Sequence, residues 1–481
     1  MIISVFTACE YRDPNAQRGE GNQQVLDGVI LNPESSFSGT LKIAAPDRAS
    51  HKSALNAFIR SFNEKYPNIK AEVTYLQLND YKASIGRVAA ASVNNPSNMY
   101  DVFWMDQDYI NGWVDLDILS PLDSLMAADD NIDESDLNTQ MLNICSSNNH
   151  LYLMPRDYNQ VVMYYNKAIF DAARVPYPTD EMSGEAFKAM CEQLATNISK
   201  LTDDRYVNDY GVKYVDCVSS IVDCNVAWSS LDYPLVKSFG GEVVDENGEV
   251  VFDSAETAEA IRYWSDLVNT KVNNRISLAI DVKSGADNNG VQFRMQQSPV
   301  YLHARAVMSE LLNEETMGGQ TYLGIGAGKL GVVSLPKFGD EYYFGAGCSG
   351  YAMYKNCANA TAAWQFLKHV VSIEGQNAYS ETGDCVPVRT DLLNDLNASW
   401  RNCLTEKLGA DFNHDAFIYK MDTAACSVYD FYPYVPFAAQ TYVTARIEEA
   451  FKTCIQSTSD AGFASGLTAA ANSMKNDIKT A

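Results

Sequence analysis

The sequence is poor in positive charge: 36 Lys and Arg stand against 61 Asp and Glu, a net charge of −25. That deficit argues against nucleic acid or an anionic membrane surface as a partner, since both need clustered basic side chains. No run beyond the N-terminus stays apolar for the roughly eighteen residues a bilayer-crossing helix requires. Cys-x-x-Cys is absent and the five histidines are scattered, so neither a metal site nor a cofactor is expected. Gly-x-Ser-x-Gly, His-Glu-x-x-His and a catalytic-cysteine context are also missing. Gly326-Ala-Gly328-Lys-Leu-Gly331 satisfies a dinucleotide-loop pattern, but the strand-like VVSLP follows it where a helix is needed, so it reads as a turn. Asp129, Asn131 and Asp133 imitate a calcium loop, yet Glu134 replaces its glycine and Gln140 its bidentate Glu. A solvated acidic loop is expected there.

What is present is size and rings. With 481 residues the chain can bury a large core in two or three compact units, and 28 Tyr, 19 Phe and 6 Trp can furnish a cleft as well as that core. Residues 1–9, MIISVFTAC, read as a signal-peptide remnant ending in small residues before a cysteine. The stretch resembles a bacterial lipobox, with Cys9 the lipidated residue, although Phe6 stands where Leu is usual and a basic leader is missing. Residues 10–38, rich in Asn, Gln, Gly, Pro and Ser, read as a flexible tether. Ten further cysteines are irregularly spaced; mostly buried free thiols are expected, with Cys217 and Cys224 the pair if any disulfide forms.

The folded part opens with a strand from Gly39 to Pro46 and a helix from about Ser50, whose Ala54, Leu55, Phe58, Ile59 and Phe62 share a face and which ends before Pro67. Ile69, Ala71, Val73 and Tyr75 alternate as a second strand, Asp80–Ser92 reads as a helix, and Tyr100–Met105 as a third strand. This β–α–β–α–β order implies a largely parallel sheet covered by helices, and such sheets bind ligands beyond their strands' carboxyl ends. Those ends carry Asp47 and Arg48, Tyr75 and Gln77, and Asp106 and Gln107.

Leu151–Phe170, LYLMPRDYNQVVMYYNKAIF, holds a short strand stopped by Pro155, a polar cluster Arg156–Asn159, a buried-strand pattern Val161–Tyr165, and a helix capped by Asn166. Further on come a double glycine at 240–241, a helix capped by Asp253, the strands GVVSLP and FGAGCSGYAMY, and a helical C-terminus.

The order of these segments (KIAAPD, FNEKYPNIK, YDVFW, LYLMPRDYNQVVMYYNKAIF, SFGGEVV, AETAEAIRYWSDLV, GVVSLPKFG, SGYAMYKNCANATAAWQFLKHVVS) resembles the extracellular solute-binding proteins of carbohydrate ABC transporters, over nearly all of 39–481. The resemblance implies an α/β, two-lobed periplasmic-binding-protein-like fold of type II. It places 39–154 plus about 345–372 in an N-terminal lobe, and about 155–344 plus 373–481 in a C-terminal lobe. The function it implies is capture of a sugar, an oligosaccharide, in the interlobe cleft and delivery to a permease, without catalysis. The protein would be a monomer, lipid-anchored on the outer face of a Gram-positive bacterium's cytoplasmic membrane. By position, Asp47, Arg48, Trp104, Asp106, Gln107, Asn159, Trp228, Ser349, Tyr432 and Tyr434 would line the site. Where maltose-type members carry Gly-Pro-Trp, this chain reads AVMSELLNEE, which weakens the case for maltodextrin. A non-sugar solute (peptide, polyamine or organophosphate) and a glycoside hydrolase on a carboxylate pair remain alternatives.

Overall fold

A computed structural model describes residues 29–281, 290–422, 427–428, 432–457 and 459–480. Its centre is one eleven-stranded mixed sheet. At one end Ile69–Leu76, Gly39–Pro46 and Val102–Asp106 run parallel. At the other, Val300–Ala304, Ser220–Asp223 and Ile276–Ala279 run parallel. Two long antiparallel strands, Leu153–Asn166 and Phe344–Met353, join these halves. The fold is thus α/β and two-lobed, with the long strands as the crossing.

Leu153–Asn166 changes partners midway. Residues up to Gln160 pair with the return strand Phe344–Met353, and Val161 to Asn166 pair with Val300–Ala304 and Leu330–Ser334. Pro155 does not end this strand, contrary to expectation. The register slips between Ser349 and Gly350, and this bulge sets Gly350 opposite Pro155. Gly350 is required there, because a Cβ would lie 2.1 Å from the Met154 carbonyl oxygen.

Helix Ala49–Lys65 buries Ala54, Leu55, Phe58 and Phe62 against the first half-sheet, as its spacing predicts. The Phe58 ring stacks on Tyr379 at 4.4 Å and meets Phe366 edge-on at 5.0 Å. Helix Ile373–Ser380 therefore stays on the first lobe, and the expected return to the second lobe after Ser372 comes later. The backbone N–H groups of Tyr158 and Asn138 donate to the Val386 and Val388 carbonyls, both at 2.9 Å, holding the segment 386–388. Arg305 of the second lobe holds the Gly383 and Trp400 carbonyls at 2.7 and 2.6 Å.

Residues 29–33 are not a free tether. Gln365 and Lys368 donate to the Leu31 carbonyl at 3.0 and 2.8 Å, docking this end on helix Ala360–Val370. The acidic loop is solvated at Asp130, Asn131 and Asp133 as expected, but Asp129 is buried, accepting from Lys368, Trp364 and Asn131. Helix Ala255–Asn269 is capped one residue later than expected, by Ser254, whose hydroxyl accepts from Thr257 N. Asn166 caps Lys167–Ala173 as expected, accepting from Ala168 N at 3.0 Å. All nine described cysteines are free, Cys217 and Cys224 among them. Cys217 turns towards Asn208 and Gln296 instead, and a core of this size needs no staple. Cys9 and Cys426 lie outside the described residues. Among the described residues no helix is long and apolar enough to cross a membrane, and no metal-binding group occurs.

Candidate interlobe binding site

A cavity of about 270 Å³ lies where the partner exchange takes place, at the carboxyl ends of the parallel strands. The first lobe contributes Arg48, His51, Trp104, Asp106, Gln107 and Asp108, and the second Trp228, Ser229, Ser230, His303, Ala304 and Ala306. Arg156, Asp157 and Asn159 of the long strand and Gly345–Ser349 of the return strand form its floor.

The floor is a hydrogen-bonded chain. Trp104 Nε1 donates to Ser349 Oγ at 3.2 Å, and Ser349 donates from both Oγ (2.8 Å) and backbone N (3.1 Å) to Asp157 Oδ1. Asp157 Oδ2 accepts from Arg156 Nη2, so these two neighbours pair with each other as well as lining the cavity. Gln107 uses its amide in the same way, accepting from Cys348 N at 2.9 Å and donating to Asp108 at 3.0 Å. Trp104, Gln107 and Ser349 thus shape the wall through bonds to other protein groups.

Other polar atoms on lining residues have no partner: Asn159 Oδ1, Arg156 Nε and His51 Nδ1. Buried donors and acceptors are nearly always satisfied, so three orphans around one cavity mark where a polar solute would bond. Asp106 stands at the end of its strand, and no hydrogen bond or ion pair engages its carboxyl. Burial, reinforced by Asp108 and Asp157 and opposed by Arg156, pushes its pKa up to about 8.

The second lobe's wall is built of rings. Trp228, half-buried, stacks on His303 at 4.9 Å and 21°, and His303 stacks on Tyr301 at 5.4 Å and 26°. Burial, helped by the Arg48 charge, lowers His303 to about 4, so the imidazole backing Trp228 is neutral at physiological pH. Gly345 lets the return strand pass beneath helix Ser229–Ser238, since a Cβ would lie 2.2 Å from the Ser230 carbonyl oxygen.

Seven of the ten residues expected here line this cavity: Arg48, Trp104, Asp106, Gln107, Asn159, Trp228 and Ser349. Asp47, Tyr432 and Tyr434 do not. Asp47 pairs with Lys52 at 2.5 Å outside it. Tyr432 is buried in the second lobe, its hydroxyl donating to Asp232 at 2.6 Å and its ring against Tyr233. Tyr434 packs against the core. An aromatic pair ahead of the last long helices carries no sequence signal that separates wall from core. His51, Asp108, Ser229, Ser230 and His303 were missed. The run VYL followed by His303, an apolar strand reaching a polar residue near its end, was the available sign for His303.

Two lobes around a cleft lined by polar orphans and a stacked ring define a solute-binding protein. The chain belongs to the family of bacterial extracellular solute-binding proteins, whose model matches residues 57–402. No curated protein matches its sequence. Solved structures share the fold at low identity. An ABC substrate-binding protein of Listeria monocytogenes in complex with cycloalternan is 18% identical with a TM-score of 0.70, over 92% of this chain and 99% of that one. The GacH receptor of Streptomyces glaucescens, solved unliganded and with acarbose, is 18% identical with a TM-score of 0.67, over 92% and 99%. UgpB of Mycobacterium tuberculosis with glycerophosphocholine is 15% identical with a TM-score of 0.67, over 92% and 99%.

Proposed function

We propose that this protein captures a carbohydrate, a short oligosaccharide, in the interlobe cleft and hands it to the membrane permease of an ABC transporter. The observation that carries the reading is the pairing, in one cavity, of unpartnered hydrogen-bonding atoms with the Trp228 ring. A sugar offers an apolar C–H face to such a ring and hydroxyls to planar acceptors such as Asn159 and Asp106. At about 270 Å³ the cavity is at the small end of ligand pockets, which run about 300–1,000 Å³, favouring few sugar units. Cycloalternan and acarbose, the ligands of two proteins of this fold, are consistent with that class.

The first lobe comprises 39 to about 158 with about 347–393, and the second the remainder up to the C-terminus. Closure follows because contacts from both walls exist together only in the closed state. Cys9 is the lipid-anchoring residue, and the protein works as a monomer outside the cell.

An organophosphate, as in UgpB, is the second reading. Both lining guanidiniums are engaged with carboxylates, Arg48 with Glu310 and Arg156 with Asp157, so neither charge is left uncompensated for an incoming anion, which favours a sugar.

A thermal-shift screen over oligosaccharides, peptides, polyamines and glycerophosphodiesters tests this, since a ligand at 100 times its Kd adds about 2.7 kcal/mol. Saccharides should raise the melting temperature and be recovered intact. Stabilisation only by phosphodiesters, or cleaved sugars in the mixture, would replace the reading by an organophosphate carrier or a glycosidase.

A further inference from the structure

Arg48 closes the first strand's loop and was expected to serve the solute, yet its guanidinium is committed across the cleft. Its Nε and Nη2 lie 2.9 and 2.7 Å from the same oxygen of Glu310, a residue 262 positions away. Arg48 precedes helix Ala49–Lys65 of the first lobe, and Glu310 sits on helix Met308–Leu312, directly after second-lobe strand Val300–Ala304. The side chains are only 25% and 12% exposed, so solvent screens the pair less than an open surface bridge. Arg48 and the neighbouring Ala304 and Ala306 line the cavity, whereas Glu310 stands outside its lining. The guanidinium's charge is also felt by a histidine of each wall, His51 and His303.

We propose that Glu310 is a positioning residue that draws Arg48 across the cleft and latches the two lobes together before solute arrives. Charge-assisted bonds from two guanidinium nitrogens are among the stronger polar contacts available, and both are lost when the lobes part. The latch therefore raises the population of the closed, binding-competent state, and apparent affinity scales with that population. It also keeps the Arg48 guanidinium from acting as an anion-binding group, which bears on the neutral-solute reading but does not depend on it.

The experiment compares ligand-free wild type, Glu310→Gln and the charge-swapped double variant Arg48→Glu with Glu310→Arg by small-angle X-ray scattering, at low salt and in 1 M NaCl. Glu310→Gln should show a larger radius of gyration than wild type at low salt, with the melting profile verifying that it folds. The swap should restore the compact value. Salt, with a Debye length of about 3 Å at 1 M, should expand wild type and leave Glu310→Gln unchanged. With maltotriose, or whichever saccharide the thermal screen selects, Glu310→Gln should bind about fivefold more weakly. Should Glu310→Gln fail to fold, the wild-type salt response decides alone. A radius unmoved by salt, or by the substitution, would overturn the latch. Because scattering is read without ligand, that outcome is separate from any failure to bind sugar.

Discussion

The cleft's two walls use different chemistry. The first lobe presents ionisable and amide groups at strand ends: Arg48, Asp106, Gln107 and Asp108. The second presents Trp228 backed by His303, with Ser229, Ser230 and two alanines. On the proposed sugar-binding reading, the first wall would select through Asp106, which has no protein partner among the described residues, by hydrogen bonding that fails when a hydroxyl is displaced. The second would hold by stacking, which tolerates different sugars.

The largest loss of affinity is expected from Trp228→Ala. Losing the ring's area and its stacking should cost roughly 2 kcal/mol, about thirtyfold in Kd, measured by titration calorimetry with the sugar chosen by the screen. A change within twofold would mean that the second wall contributes no stacking.

On the first wall, Asp106→Asn keeps the shape and should weaken binding about tenfold or less, the range of one hydrogen bond. Its stability signature is separate. The folded-state pKa of Asp106, about 8, lies above the ordinary carboxylate value, so the folded state holds a proton that the unfolded state loses. Wild-type stability should therefore fall as pH rises through 4 to 8, with the penalty complete above 8. Asp106→Asn should remove that fall, so its melting-temperature advantage should be near zero at pH 4 and largest near pH 8.5. An advantage that stays constant with pH would contradict the buried-carboxyl account.

His303→Ala removes the backing of Trp228 without touching the first wall, and about a threefold loss is expected. Smallest in binding is Tyr432→Phe. Its hydroxyl bonds Asp232, whose own pKa burial raises to about 7, so losing it should lower the melting temperature by a few degrees while Kd stays within twofold. A tenfold loss of affinity would return Tyr432 to the cleft.

The two walls also differ in how far the sequence reveals them. The first wall was partly legible because β–α–β units put polar strand ends on one edge: Arg48, Asp106 and Gln107 line the cavity, whereas Asp47, Tyr75 and Gln77, at the same ends, do not. The second wall was half legible. Trp228 stands out as a ring among small residues, but His303 belongs to a strand that periodicity did not single out, and its role depends on stacking between separate elements. Tyr432 and Tyr434 were placed by analogy of position, and packing sent them elsewhere. Asp129 looked solvated because its acidic neighbours are adjacent in sequence, whereas the Lys368 that buries it lies 239 residues on.

Local sequence determined the alternation of strands and helices, the cap at Asn166 and the polar strand ends, since these depend on residues within a few positions of one another. Only the tertiary structure decided that Pro155 sits inside an unbroken strand, because it falls at a bulge where Arg156 is the extra residue between the pairs Asp157–Ser349 and Pro155–Gly350. It decided likewise that Trp104, Ser349, Asp157 and the Arg156 Nη2 group bond one another while Arg156 Nε and Asn159 Oδ1 have no protein partner among the described residues. The reason is common to both: a hydrogen bond is made or left open by whatever the fold brings within about 3 Å, and that partner is often hundreds of residues away along the chain.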